Sequence, residues 1–104
     1  MTYDEFWIRY LRAHSRVDTR AIHYVGSLLV LGLLAAAIWL GDWRWLVAMP
    51  IIGYAFAWTA HFAVEHNRPE TFGHPFWSLF SDYRMLLLAL TWRLAPHLRR
   101  AGLR

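Results

Sequence analysis

Residues 21–40, AIHYVGSLLVLGLLAAAIWL, and residues 45–64, WLVAMPIIGYAFAWTAHFAV, decide the fold of this chain. Each is a run of twenty residues without Asp, Glu, Lys or Arg. At about 1.5 Å of rise per residue, either run as a helix reaches roughly 30 Å, the thickness of a bilayer's hydrocarbon core. Only Gly41-Asp42-Trp43-Arg44 lies between them, so the expected arrangement is two transmembrane helices, Ala21 to Leu40 and Trp45 to Val64, in an antiparallel hairpin. Gly32 with Ala36, and Gly53 with Ala57, are small-xxx-small pairs that let a neighbouring helix approach closely. Pro50 is placed to kink the second span near its start.

Working outward from these runs, the 104 residues make one domain, 1–104. With 58% hydrophobic residues, including seven Trp, five Tyr and six Phe, the chain is more apolar than a water-soluble domain of this size needs. Lipid is the second apolar solvent that the surplus calls for, which makes an integral membrane protein. Eleven Arg and seven carboxylates give a formal charge of +4, and there is no Lys. Arg without Lys points to a GC-rich genome and so to a bacterial inner membrane, or to the endoplasmic reticulum if the source is eukaryotic. The Arg residues flank the apolar runs, which suits anionic headgroups and argues against nucleic acid. Arg9, Arg12, Arg16 and Arg20 precede the first span, Arg44 stands alone between the spans, and Arg68 and the later Arg residues follow. That asymmetry puts both termini on the cytoplasmic side. No cleavable signal is expected, because residues 1–20 carry Asp4, Glu5 and four Arg with no apolar centre.

Both flanks read as helical. Thr2-Tyr-Asp-Glu5 is a capping-box pattern, and Tyr3, Trp7, Tyr10 and His14 follow on one stripe, an N-terminal amphipathic helix. It either lies in the headgroup region or packs on other protein. Pro75 opens a last helix reaching about Ala95, and Asp82 and Arg84 near its middle make it an interfacial helix instead of a third span.

With no cysteine, thiolate metal sites and Cys nucleophiles are excluded, and any metal must sit on His, Asp or Glu. There are six histidines. His23 near the start of the first span and His61 near the end of the second fall at nearly the same depth in a hairpin, and His14 is tethered to that face by a short connection. Buried ionisable groups are costly in a membrane, so His23 and His61 are read as ligands, with His14 at the same face. Glu65, one helical turn after His61, and Asp82 are the carboxylates of this face, each able to ligate or to take the second ring proton of a ligating histidine. His66, His74 and His97 read as ordinary satisfied polar groups. Imidazole with carboxylate suits non-haem iron, zinc or manganese, and two His with one carboxylate and open positions favours Fe(II).

The same residues carry a resemblance along nearly the whole chain. Tyr10-Leu-x-x-His14, Arg20-x-x-His23-x-x-Gly26, Gly53-Tyr-x-x-x-Trp58-x-x-His61-x-x-x-Glu65-x-Asn67-Arg-Pro69-x-Thr-Phe72 and Pro75-x-Trp-Ser-Leu79-x-x-Asp82-x-Arg-Met85 resemble the 2-hydroxy fatty acid dioxygenase family. The resemblance implies a membrane enzyme that uses Fe(II) and O2 to remove one carbon from a long-chain 2-hydroxy fatty acid, as its fungal member does with 2-hydroxy-palmitic acid in the endoplasmic reticulum. It also implies His14, His23 and His61 as the histidine set and Glu65 as the carboxylate.

The function expected is therefore oxygenation. A hydroxy acid would chelate iron through its carboxylate and 2-hydroxyl, with its tail in lipid and Arg20, Arg68 or Arg84 holding the carboxylate. Two other readings stay open: a haem protein ligated by His23 and His61 between the spans, and a non-catalytic membrane adaptor. A homo-oligomer is left open.

Overall fold

The structure, a computed structural model, describes residues 1–70 and 73–103. Thr71 and Phe72 of the family pattern, and Arg104, lie outside the described residues. The elements are α1 (Tyr3–Arg12), α2 (Val17–Leu40), α3 (Arg44–Thr59), a π-helical segment (Ala60–Glu65) continuing α3, α4 (Pro75–Leu90) and α5 (Leu94–Arg100). Among the described residues there is no strand.

α1 begins where the capping pattern places it: Glu5 N donates to Thr2 Oγ1, and Thr2 N donates to Glu5 Oε1. α2 starts at Val17, four residues before the apolar run, because Asp18, Thr19 and Arg20 continue the helix as a polar first turn. It ends at Gly41, whose left-handed φ of 62° suits a residue without a Cβ. α3 runs on through Pro50. α2, and α3 together with its π segment, are each long and apolar enough to cross a membrane. Their outer faces keep Ile38 at 74%, Trp39 at 88% and Ile51 at 64% exposure, a run of apolar surface that water would penalise.

α2 and α3 lie against each other at two glycines. A Cβ on Gly26 would stand 2.6 Å from Phe56 Cβ, and one on Gly53 would stand 3.2 Å from Val30 Cγ2. The partner moves back along α3 as the contact moves forward along α2, so the two helices run in opposite directions. Gly53 thus serves the close approach expected of it. Gly32 does not: a Cβ there meets nothing within 4 Å. The close contact falls instead on Gly26, one and a half turns nearer the histidine face.

The buried apolar cluster sits at that face and not between the long helices. Phe6, Trp7, Tyr10 and Leu11 of α1 pack with Met85 of α4 and with Leu94, Leu98 and Ala101 at the end of the chain. α1 therefore packs on protein, and its aromatic stripe faces inward. The last helix departs from the expected run to Ala95. α4 stops at Leu90, Trp92 takes a left-handed φ of 59°, and Arg93 N donates to Leu88 O at 2.8 Å. Pro96 explains the break, because its ring would collide with the carbonyl four residues back, that of Trp92, in a continuous helix. In the first turn of a new helix the missing N–H costs nothing, and α5 folds back to close the core.

Candidate metal centre

His14 follows α1, His23 lies in the second turn of α2, and His61 lies in the π-helical segment. They are 1%, 4% and 2% exposed. Their ring centroids are 4.7 Å (His14 to His23), 4.4 Å (His14 to His61) and 5.7 Å (His23 to His61) apart. One nitrogen from each lies within 4.8 Å of the others, a group that could hold a metal ion.

Each ring is fixed through its other nitrogen. His14 Nδ1 lies 2.7 Å from the Tyr10 carbonyl oxygen, and His23 Nε2 lies 2.9 Å from Asp82 Oδ1. His61 Nδ1 lies 2.8 Å from Asn67 Oδ1, and the Asn67 amide is itself oriented by its Nδ2 donating to Ala13 O at 2.9 Å. All three partners are acceptors, so these ring nitrogens carry the protons. That leaves lone pairs on His14 Nε2, His23 Nδ1 and His61 Nε2. The first two are buried with no hydrogen-bond partner. An orphaned buried acceptor costs about 1–3 kcal/mol, which a bound cation would relieve. Burial first, then the neighbouring His23 and His61, hold the His14 pKa well below its ordinary value, so its imidazole is neutral as a ligand must be. The residues fit a metal, and each histidine already has the acceptor behind it that ligating histidines use.

The surrounding polar residues build this geometry. Glu65 accepts from Ser15 N at 2.9 Å, Arg16 N at 3.2 Å, Thr19 Oγ1 at 2.6 Å and Ser15 Oγ. α2 has no side-chain cap, and the Glu65 carboxylate, held by the backbone just before the helix and by the Thr19 hydroxyl in its first turn, ties the His61 segment to the α1–α2 junction. Arg20 donates to the carbonyls of His14 and Ser15 at 2.7 and 2.9 Å, holding the same junction from below. The π turn widens the backbone here, and it closes on His66 at φ 60° with Asn67 N donating to His61 O at 2.9 Å. Asp82 accepts from both His23 and Tyr10, whose hydroxyl lies 2.5 Å away. Burial, reinforced by the Asp82 charge, raises the Tyr10 pKa and keeps its phenol a donor.

The remaining histidines lie outside the group of three. His66 is exposed, His74 packs on Phe6 and Trp77, and His97 Nδ1 accepts from Trp7 Nε1 at 3.1 Å. Asn67 and Tyr10 were visible in the family pattern, but no local periodicity marks them as partners of His61 and Asp82.

A cavity of about 820 Å³ opens beside His23, between α2, α3 and α4. His23, Asp82, Tyr83 and Arg84 give it a polar end, and Val30, Leu34, Met49 and Leu87 are among its apolar walls. On α2 the lining runs from His23 to Leu34, about 16 Å of helix. Of the three arginines expected to hold a carboxylate, Arg84 lines this cavity, whereas Arg20 is spent on the α1–α2 carbonyls and Arg68 is exposed in the loop. The Arg84 guanidinium is steadied over the Trp7 ring at 4.2 Å.

Residues 1–94 match the family described as 2-hydroxy-palmitic acid dioxygenase Mpo1-like. No curated protein and no solved structure matches the chain. The family match runs through all three buried histidines and through Glu65, Asn67, Asp82 and Arg84, and with nine tenths of its length so covered the chain belongs to the 2-hydroxy-palmitic acid dioxygenase Mpo1-like family.

Proposed function

We propose that this protein is an iron-dependent membrane dioxygenase that shortens a long-chain 2-hydroxy fatty acid by one carbon, with His14, His23 and His61 as the iron ligands. The family's name points to this kind of activity. The observation that carries the reading is the pair of buried, unpartnered lone pairs on His14 and His23 beside a cavity polar at one end and apolar along its length. α2 and α3 cross the bilayer as an antiparallel hairpin, both termini on the cytoplasmic side, so the cavity lies at acyl-chain depth.

Iron, when bound, supplies the redox chemistry that lets O2 react with the substrate. The chain's own residues do the rest. Arg84 binds the carboxylate, and the apolar walls take the acyl tail and exclude water from it. Asp82 fixes the His23 tautomer through Oδ1 and accepts the substrate's hydroxyl proton at its other oxygen. Glu65 acts as a positioning residue, through the junction that sets His14 against His61. The reaction balances without a further reductant: the 2-hydroxy acid and O2 give CO2, water and the acid one carbon shorter. A plain fatty acid lacks the hydroxyl and is turned over poorly.

The haem reading is disfavoured by the Gly26–Phe56 contact, which closes the gap that a macrocycle between α2 and α3 would need. The test is to give Fe(II)-loaded protein in detergent 2-hydroxypalmitate or palmitate under air and to follow the products by mass spectrometry. The shortened acid should form from the hydroxy acid alone, and the His14→Ala, His23→Ala and His61→Ala variants should lose both iron and activity. Bound iron with no shortening of any 2-hydroxy acid would refute the activity while leaving the metal site standing.

A further inference from the structure

Trp7, Tyr10 and His14 occupy one stripe of α1 and its extension, so helical spacing stacks their rings into a column. The His14 and Tyr10 centroids are 4.2 Å apart. Tyr10 and Trp7 are 5.8 Å apart and nearly parallel, at 10° between planes. Trp7 touches His97, ring centroids 5.7 Å apart, and His97 is half-buried and reaches the surface. Each oxidisable ring also has a base on its acidic hydrogen: Tyr10 OH on Asp82 Oδ1 at 2.5 Å, and Trp7 Nε1 on His97 Nδ1 at 3.1 Å. Burial by itself calls for a hydrogen-bond acceptor at each ring. At both members of this column that acceptor is a base, a carboxylate for Tyr10 and an imidazole for Trp7, so it can keep the proton as well as accept the bond.

We propose that Tyr10 and Trp7 form an electron relay that drains oxidising equivalents from the metal centre when no substrate is there to consume them. The proposal rests on the iron and O2 reading above. The oxidant is O2 reduced at the iron. One electron leaves Tyr10 for that oxidant across the His14 contact, the phenol O–H bond breaks, and its proton passes to Asp82, leaving a neutral tyrosyl radical. Trp7 then gives one electron to Tyr10, Asp82 returns the proton to the phenol oxygen, and the indole N–H proton passes to His97. The sum is one electron lost by Trp7, one proton gained by His97 and one oxidising equivalent removed from the centre. A one-electron reductant of the thiol or ascorbate class, acting where His97 reaches the surface, restores the buried Trp7 across the His97 contact, and His97 returns its proton. The ligands His14, His23 and His61 are thereby spared self-oxidation.

The experiment exposes the Fe(II)-loaded full chain to O2 without fatty acid, freezes it at intervals for electron paramagnetic resonance, and maps oxidised residues by peptide mass spectrometry. Wild type should show an organic radical and little ligand oxidation. Tyr10→Phe, which keeps the ring packing, should abolish the tyrosyl signal and raise histidine oxidation several-fold. Trp7→Phe should prolong the tyrosyl signal, and it tests the relay independently if the Tyr10 variant misfolds. Iron bound with no radical in wild type, and equal ligand oxidation in wild type and both variants, would overturn the relay and leave the metal site intact. Failure to bind iron at all would overturn both.

Discussion

Gly26→Ala should loosen the metal centre from a distance, and the structure gives its size. The added Cβ would stand 2.6 Å from Phe56 Cβ and 3.1 Å from Cγ. Ordinary carbon contacts begin near 3.5 Å, so α2 and α3 must part by about 0.9 Å at that level. A Cβ is fixed to its backbone, and no rotamer change at Phe56 relieves the clash. Overpacking of this kind costs about 1–3 kcal/mol, against which Ala gains about 1 kcal/mol of helix propensity over Gly. The net loss of stability is therefore about 0–2 kcal/mol, and the larger effect falls on the site. His23 lies one turn before Gly26 and His61 just over one turn after Phe56, and metal–ligand distances tolerate only about 0.2 Å. Separation by several times that tolerance should weaken iron or zinc binding tenfold or more, about 1.4 kcal/mol. Gly32→Ala is the control, because its Cβ meets nothing within 4 Å. It should bind metal normally and unfold no more easily. Competitive metal titration with thermal unfolding in detergent measures both effects. A Gly26→Ala protein that binds metal as tightly as wild type and unfolds at the same temperature would refute the reasoning.

Asn67→Ala removes the acceptor behind His61 and should weaken metal binding by about 10–100-fold, whereas Asn67→Asp, which keeps an acceptor, should lose less; equal affinities in a metal titration would contradict the assignment. Glu65→Ala leaves the Ser15 and Arg16 N–H groups and the Thr19 hydroxyl without their acceptor and frees the α1–α2 junction, and should cost about 1–2 kcal/mol in denaturant unfolding. Burial first, then the cations of Arg84 and Arg100, lower the His97 pKa in the folded state. Its contribution to stability is therefore full above about pH 6.5, the unfolded value, and is lost as pH falls through the lowered folded value. Melting temperatures of wild type and His97→Gln should converge below that pH, and parallel curves would rule the contribution out. A reporter fused after Arg104 should appear on the cytoplasmic side, and its appearance outside would reverse the orientation read from the Arg asymmetry.

Residue order was enough for the elements whose physics is local or one-dimensional. Two charge-free runs of twenty residues have few options besides long apolar helices, and the Thr2–Glu5 capping box and the turn at Gly41 set helix ends through neighbours three or four residues away. Equal depth in a hairpin was enough to bring His23 and His61 towards one another, and the short connection from residue 15 to residue 20 brought His14. What depends on which surfaces meet came from the packing of the helices. Gly26 and Gly32 are equally small in sequence, and only the crossing of α2 and α3 makes the first a close contact and the second an open face. Glu65 sits one turn from His61 as a candidate ligand would, yet its carboxylate is engaged by Ser15, Arg16 and Thr19, which lie nearly fifty residues earlier. The Tyr10 carbonyl lies one helical turn before His14, but Asp82 became the acceptor behind His23 from a segment 59 residues away that no periodicity links to it. Pro96 ended α4 because α5 had an aromatic core to fold back onto, and that core exists only once α1 and α4 have packed.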